Sequence, residues 1–243
     1  MMTERQHPPP SGPASSLAVL ALADARLPGG GHAHSGGLEE AVHRGTVTGP
    51  HELREFLRGR LHGAGRQAAV FAAAAAHAAA RKAPRRCWSE LDTEYDARVP
   101  SPAQRAASRS QGRGTARAGR TAWPSPALRE LMSVTDSPHH PLVVGVLVGA
   151  SSLAGPKDAA AVVAYLSLSG PASAAVRLLG LDPFAANAAV AAFEADTERL
   201  ARAAARTAGL PAAELPSTGA PALDLLAQAH RKHHEEEVRL FAS

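Results

Sequence analysis

At Gly49-Pro50, Ser101-Pro102, Ser125-Pro126 and Asp182-Pro183 of this 243-residue chain, a capping residue or a glycine stands directly before a proline at the head of an apolar-periodic stretch. Serine and aspartate side chains accept hydrogen bonds from the unpartnered N–H groups of a first helical turn. Proline, having no N–H, fits the first helical position without loss. The pattern punctuates helices, and nothing in the composition opposes it. Hydrophobic residues make up 45% of the chain but aromatics only 4%, so the core must be filled mostly by Ala, Leu and Val. Alanine and leucine lead the helix propensity scale, and small side chains let helices approach closely.

The spacing predicts an all-α fold, a bundle of about ten helices in one domain over residues 16–243, behind a polar, proline-rich extension at 1–15 expected to be disordered. Leu17, Leu20, Ala21 and Asp24 recur at helical spacing, and Leu38, Ala41 and Val42 suggest a short helix ending near Gly45. From Pro50 the stripe Leu53, Phe56, Leu57, Leu61, Ala64, Ala68 and Phe71 runs into the alanines up to Ala80, a single helix of thirty residues stopped by Pro84. Trp88, Leu91 and Tyr95 mark a shorter helix, and the next spans Pro102 to Ala122. Pro141–Ala154 and Lys157–Leu179 read as two buried helices, the second expected to kink or split at Gly170-Pro171. Val143, Val144, Val146 and Val148 form too short a run between helices to carry a strand. Asp182-Pro183 opens a long alanine-rich helix ending near Gly209. Residues 210–220 have the composition of a linker, and 221–243 hold a last helix and a charged tail.

The formal charge is +4 and the cations are nearly all arginine, with lysine only at Lys82, Lys157 and Lys232. That excess suits a basic surface for an acidic partner without requiring nucleic acid. The lone Cys87 excludes an internal disulfide and a multi-cysteine metal cage, which fits the reducing cytoplasm. Ser16–Ala25 imitates a signal-peptide core, but the segment before it carries Glu4 and a proline run and makes a poor leader. The best apolar run, Pro141–Leu153, falls short of the ~20 residues a membrane span needs.

Four constellations could carry chemistry. Leu27–Glu39, LPGGGHAHSGGLE, packs five glycines between two helical segments, and its AHSGG is one residue from the G-x-S-x-G nucleophile elbow. That elbow requires a strand feeding it, and the preceding segment is helical in period, so Ser35 is not read as a nucleophile. G-x-x-x-x-G-K-[ST] and G-x-G-x-x-G are both absent, leaving no signature for a nucleotidase or a dinucleotide enzyme. His230, His233 and His234 share one face of the last helix beside Glu235, Glu236 and Glu237. They are weak candidates for a metal site, the competing reading being a solvated charged face. Finally, Arg105, Arg109, Arg113, Arg117 and Arg120 follow one another at spacings of four, four, four and three, a ridge along one helix face with no acid nearer in sequence than Asp96 and Glu94. Such a ridge calls for an acidic protein surface or a nucleic acid. A basic all-α regulator using Arg105–Arg120 on nucleic acid is the alternative function, although RAASRSQGRGTAR lacks stacking aromatics.

The same segments carry a resemblance. LPGGGHAHSGGLEEAVHRGTV is similar to the N-terminal motif of the urease accessory protein UreF family, LP-x-GGF-[AS]-[HY]-S-x-GLE. RAASRSQGR resembles its R-E-x-S-R-x-x-GR helix, HHPLVVGVLVGA its HHP-x-x-x-G segment, and PALDLLAQAH…RLFAS its PALD…RLF-x-S tail. The blocks fall in family order over nearly the whole chain from residue 17. The resemblance implies an all-α, homodimeric, non-catalytic chaperone without a tightly bound cofactor. It would bridge a scaffold protein, UreD (also called UreH), and a nickel-carrying GTPase, UreG, on apo-urease, with Ni²⁺ passing through the complex. It further implies no nucleic acid or membrane partner. Matched residues are Gly30, His34, Ser35, Gly37, Leu38 and Glu39 in the first motif, and Arg105, Ser108, Gln111, Gly112 and Arg113 in the second, whose helix also carries Arg109. In the tail they are Pro221, Asp224, Arg239, Leu240 and Phe241. Together they imply surfaces for the GTPase and the scaffold. The chain departs from the family pattern at His32, which replaces an aromatic, at Ala106, which replaces an acid, and at Gly170-Pro171, where many relatives keep unbroken helix.

Overall fold

A computed structural model of the protein describes residues 14–24, 26–29, 34–151, 154–217 and 222–233, and among these the regular elements are all helical, with no strand. In order they are α1 (Ala14–Ala23), α2 (Leu38–His43), α3 (Pro50–Arg60), a π-turn (Leu61–Gly65), α4 (Arg66–Ala80), α5 (Arg85–Arg98) and α6 (Pro102–Ala122). Then come α7 (Pro126–Val134), α8 (His140–Gly149), α9 (Pro156–Leu179), α10 (Pro183–Ala191), α11 (Glu194–Thr207), a 3₁₀ turn (Ala212–Glu214) and α12 (Ala222–His233). The cap–proline signals open helices where the sequence places them. Ser101 Oγ accepts from the Gln104 N–H at 3.2 Å, Ser125 Oγ from Leu128 at 3.1 Å, and Asp182 Oδ1 from Phe184 at 3.0 Å. A fifth start follows Gly155, where Asp158 reaches back to accept the Gly155 N–H at 2.8 Å.

α4 lies at the centre, packed against α8, α9 and α11. Its alanines explain how. A Cβ added to Gly145 would come within 2.3 Å of the Ala72 carbonyl oxygen, and one on Gly149 within 2.2 Å of that of Ala76, so α8 rests on α4 backbone to backbone. Larger side chains, Phe71, Trp88, Leu131 and Phe193, close the core around this stack and are each at most 2% exposed.

Four expectations are corrected. The helix from Pro50 is not continuous: the π-turn interrupts it, and Gly63 takes the non-helical pair φ −90°, ψ −106°. Glycine tolerates the excursion, and the interruption re-phases the stripe before the buried alanines begin. Conversely, α9 runs unbroken through Gly170-Pro171. Proline costs a helix interior ~3 kcal/mol, but Pro171, Ala172, Ala174 and Ala175 are buried in the core, and that packing holds the segment. The helix after Asp182 divides into α10 and α11 where Phe193 turns inward at 2% exposure. Lastly, α9 is long and apolar enough by composition to cross a membrane, contrary to the expectation that no apolar run reaches that length. Its packing against α4, α8, α10 and α11 makes it a core helix.

The linker composition at 210–217 hides a clamp. Arg98 on α5 donates to the carbonyls of Leu215 at 2.6 Å, Ala212 at 2.9 Å and Ala213 at 3.0 Å while lying over the Phe71 ring at 5.3 Å.

Candidate functional site

The second half of the glycine-rich segment is a tight entry into α2. Gly36 and Gly37 hold φ values of 64° and 91°, a left-handed pair that residues with a Cβ avoid. Leu38 is fully buried, and the Glu39 N–H donates to Ser35 Oγ at 3.4 Å. Ser35 itself is wholly buried and sits in a helix-opening turn preceded by helix α1, not by a strand, so the nucleophile-elbow context is absent. A side chain on Gly36 would press within 3.2 Å of the Arg60 guanidinium, so the turn lies directly on that arginine. Gly30 and His32 lie outside the described residues.

Arg60 was not singled out from the sequence, although a charge between Leu57 and Leu61 on an apolar stripe is a legible signal. It is 9% exposed, and its Nη1 donates to Asp224 Oδ1 at 3.0 Å, joining α3 to the tail helix α12. Gln228, one turn further along α12, accepts from the Ala103 N–H at 3.1 Å and from Ser101 Oγ at 3.4 Å, at the start of α6. The structure thus ties Asp224 of the tail to the glycine turn's arginine and Gln228 to the start of the arginine helix, while Pro221 lies outside the described residues. Arg239, Leu240, Phe241 and His234 lie outside the described residues. His230 and His233 are placed on α12, and among the described residues no group of three His, Cys, Asp or Glu could hold a metal ion.

The arginine ridge divides. Arg109 donates to Asp92 at 3.1 and 3.3 Å, to Asp96 at 2.9 Å and to the Ser137 carbonyl at 2.7 Å. Arg105 donates to the carbonyls of Val99 at 2.6 Å and Pro100 at 3.2 Å and stands 3.8 Å from Asp96. The expectation that this ridge repels itself unless an acidic partner meets it is therefore corrected for its first half, where Asp92 and Asp96 of α5 meet Arg105 and Arg109. Arg113, Arg117 and Arg120, in the second half, are exposed and have no ion pair among the described residues.

The HHP segment locks against the same network. His139, fully buried, lies between Ser108 Oγ at 3.1 Å from Nδ1 and Asp96 Oδ1 at 3.0 Å from Nε2, and its ring packs tilted by 51° against that of Tyr95 with centroids 4.6 Å apart. The Ser108 hydroxyl also accepts the His140 N–H at 3.3 Å, so a neutral His139 accepting from Ser108 and donating to Asp96 satisfies every group. Burial, with the Arg109 guanidinium beside it, pushes His139 down to about 4. Burial and the neighbouring His34 do the same for His140, also to about 4. Burial pushes Asp96 up, but the bonds from Arg109 and His139 outweigh it and hold the carboxyl below its ordinary value. Gly112 explains why glycine precedes Arg113: a Cβ there would come within 1.8 Å of the Pro138 carbonyl oxygen.

All four sequence blocks meet around one cavity of about 250 Å³, lined among others by His34, Ser108, Gln111, His140, Arg60 and Asp224. These residues are spread over nearly two hundred positions of the chain. The structure brings His34, Gln111 and Asp224 together and leaves Arg113 on the outer face of the same helix.

The family model for UreF matches residues 47–194, more than half of the chain. The urease accessory protein UreF of Mycolicibacterium vanbaalenii is 42% identical over 230 residues, covering 94% of this chain and all of the relative. That of Mycobacterium sp. strain JLS is 43% identical over 225 residues, 93% of this chain and 97% of its own. That of Mycobacterium tuberculosis is 44% identical over 233 residues, again 94% and 100%.

Proposed function

The chain belongs to the urease accessory protein UreF family, and from that premise we propose that it is a non-catalytic adaptor of urease maturation in the cytoplasm. In this reading it joins a UreD-type scaffold to a UreG-type GTPase on apo-urease, works as a homodimer, and assists GTP-dependent delivery of Ni²⁺ without holding the metal itself. The observation that carries it is the convergence just described: the glycine turn, the arginine helix, the HHP segment and the tail helix are built into one body, with three arginines of α6 exposed and in no ion pair among the described residues. Charge-assisted guanidinium contacts are strong and geometrically selective for carboxylates, which suits a protein partner. The tail helix, tied by Asp224 to Arg60, carries the segment toward Leu240 and Phe241 that would meet the scaffold.

A nucleic-acid reading loses most of its footing, because Arg105 and Arg109 are consumed inside the molecule and three exposed arginines remain of the five. The test is reconstitution. Apo-urease supplied with nickel, GTP, scaffold and GTPase should gain activity with this protein and fail to gain it without. Equal activation in its absence overturns the proposal.

A further inference from the structure

The corner between α4 and α5, residues 81–86, sets aside three local preferences, and each time the residue chosen is a cation. Lys82 holds φ 52°, the one positive φ outside glycine among the described residues. It occupies the closing position of a helix end, where its N–H donates to the Ala79 carbonyl at 3.1 Å and that of Ala83 to Ala78 at 2.9 Å, a position glycine takes without strain. Arg85 and Arg86 then fill the first two positions of α5, whose first turn contains no acid. A helix N-terminus is the positive end of the helix dipole and favours anions, so two arginines there are unfavourable. The Arg86–Glu90 pair at 2.9 Å puts the arginine on the N-terminal side, the weaker order for such a pair.

A purely structural account covers only part of this. Cations near the C-terminal end of α4 are favoured by its dipole, but glycine at 82 would relieve the backbone and acids at 85 and 86 would suit α5. Arg81 Nη1 lies 3.3 Å from His77 Nε2, and Arg85 donates to the Ser133 carbonyl at 2.5 Å. Neither Arg81 nor Lys82 meets a carboxylate among the described residues. Arg129, exposed and one helical turn before Ser133 on α7, extends the same patch.

We propose that this corner is a docking site for a carboxylate-rich segment of a partner protein. Guanidinium groups predominate, and they pair with carboxylates in planar, two-bond geometry. The aromatic needed to stack nucleobases is missing, since Trp88 is buried at 1% exposure. Ala83 and Pro84 supply no apolar anchor for a lipid surface. The site is distinct from the outward arginines of α6 and does not rest on the urease reading.

The probe is a deca-glutamate peptide, titrated on the full chain beside an oligothymidylate and phosphatidylserine vesicles. Lys82→Gly should raise the melting temperature while weakening peptide binding. The triple variant Arg81→Gln, Lys82→Gly, Arg86→Gln should weaken it about tenfold, as expected for three surface charge pairs. Arg54→Gln with Arg206→Gln, exposed arginines outside both this corner and α6, should leave the peptide affinity unchanged as the control. Peptide binding that survives the triple variant, that responds equally to the control, or that is surpassed by the oligonucleotide or the vesicles overturns the proposal.

Discussion

Arg60 and Asp224 stand 164 residues apart in the chain and meet at 3.0 Å with side chains only 10% and 11% exposed. The contact ties the tail helix to the body by an ion pair, and it sits at the wall of the cavity that collects the sequence motifs. Removing one partner of such a pair strands a buried charge. Asp224→Ala is therefore expected to cost ~3 kcal/mol or more, and to speed hydrogen exchange over 222–233 before the rest of the protein. The double change Arg60→Met with Asp224→Leu should recover much of that loss. Unchanged protection of α12 in Asp224→Ala would mean that Gln228, together with Leu223 and Leu226 packed against the core, holds the helix without the ion pair.

Arg109 is expected to behave as a structural residue. Its bonds to Asp92, Asp96 and the Ser137 carbonyl join α5, α6 and the turn before α8. Arg109→Ala should cost ~2 kcal/mol, the scale of charged hydrogen bonds in a partly buried site, and shift the thermal melt by several degrees. Arg113→Ala, on an exposed position, should stay within ~0.5 kcal/mol of the parent.

Acidification should destabilise the protein earlier than its carboxylates alone would dictate. His139 and His140 titrate at about 4 in the folded chain against an ordinary 6.5, so between those values the unfolded chain binds protons that the folded chain refuses. Their contribution is complete above 6.5 and is lost as the pH falls toward 4, at about 1.4 kcal/mol per pH unit for each ring. Asp96, held below its ordinary 3.8, adds a further loss under that value. Urea titrations between pH 7.5 and 4.5 should show the decline, and His139→Gln should remove about half of its slope. An identical slope in the variant would assign the linkage elsewhere.

Gly112→Ala is expected to be among the most damaging single-methyl changes in the chain. The added carbon meets the Pro138 carbonyl at 1.8 Å and the His140 nitrogen at 3.0 Å, both backbone atoms, so α6 and the HHP turn must separate. Overpacking of this kind costs ~3 kcal/mol, whereas Gly155→Ala, where nothing lies within 4 Å, should be nearly neutral. Calorimetry on the two variants decides it.

The sequence was most legible where a local rule carries the whole decision. Caps before proline fixed the starts of α6, α7 and α10, because each requires only one side chain and one N–H. It misled where tertiary packing overrides a local preference. Pro171 stays inside a helix because its neighbours are buried, and α3 and α4 separate because Gly63 can leave the helical region. The site was half readable. The motifs marked His34, Gln111, Gly112 and Asp224, but Arg60, Arg98 and the acids Asp92 and Asp96 gain their roles only when helices distant in sequence come together. For the same reason the arginine ridge reads as unpaired: the connection between α5 and α6 brings acids at 92 and 96 to cations at 105 and 109, and linear spacing does not record that.

The most direct test of the adaptor account compares Arg113→Ala with the parent protein in a pull-down of the UreG-type GTPase by the assembled scaffold complex, with melting temperatures measured on the same samples. The account predicts that recruitment falls by ~2 kcal/mol in binding free energy, about thirtyfold, as for an interface hot spot, while the melting temperature is unchanged. Recruitment equal to that of the parent would contradict it.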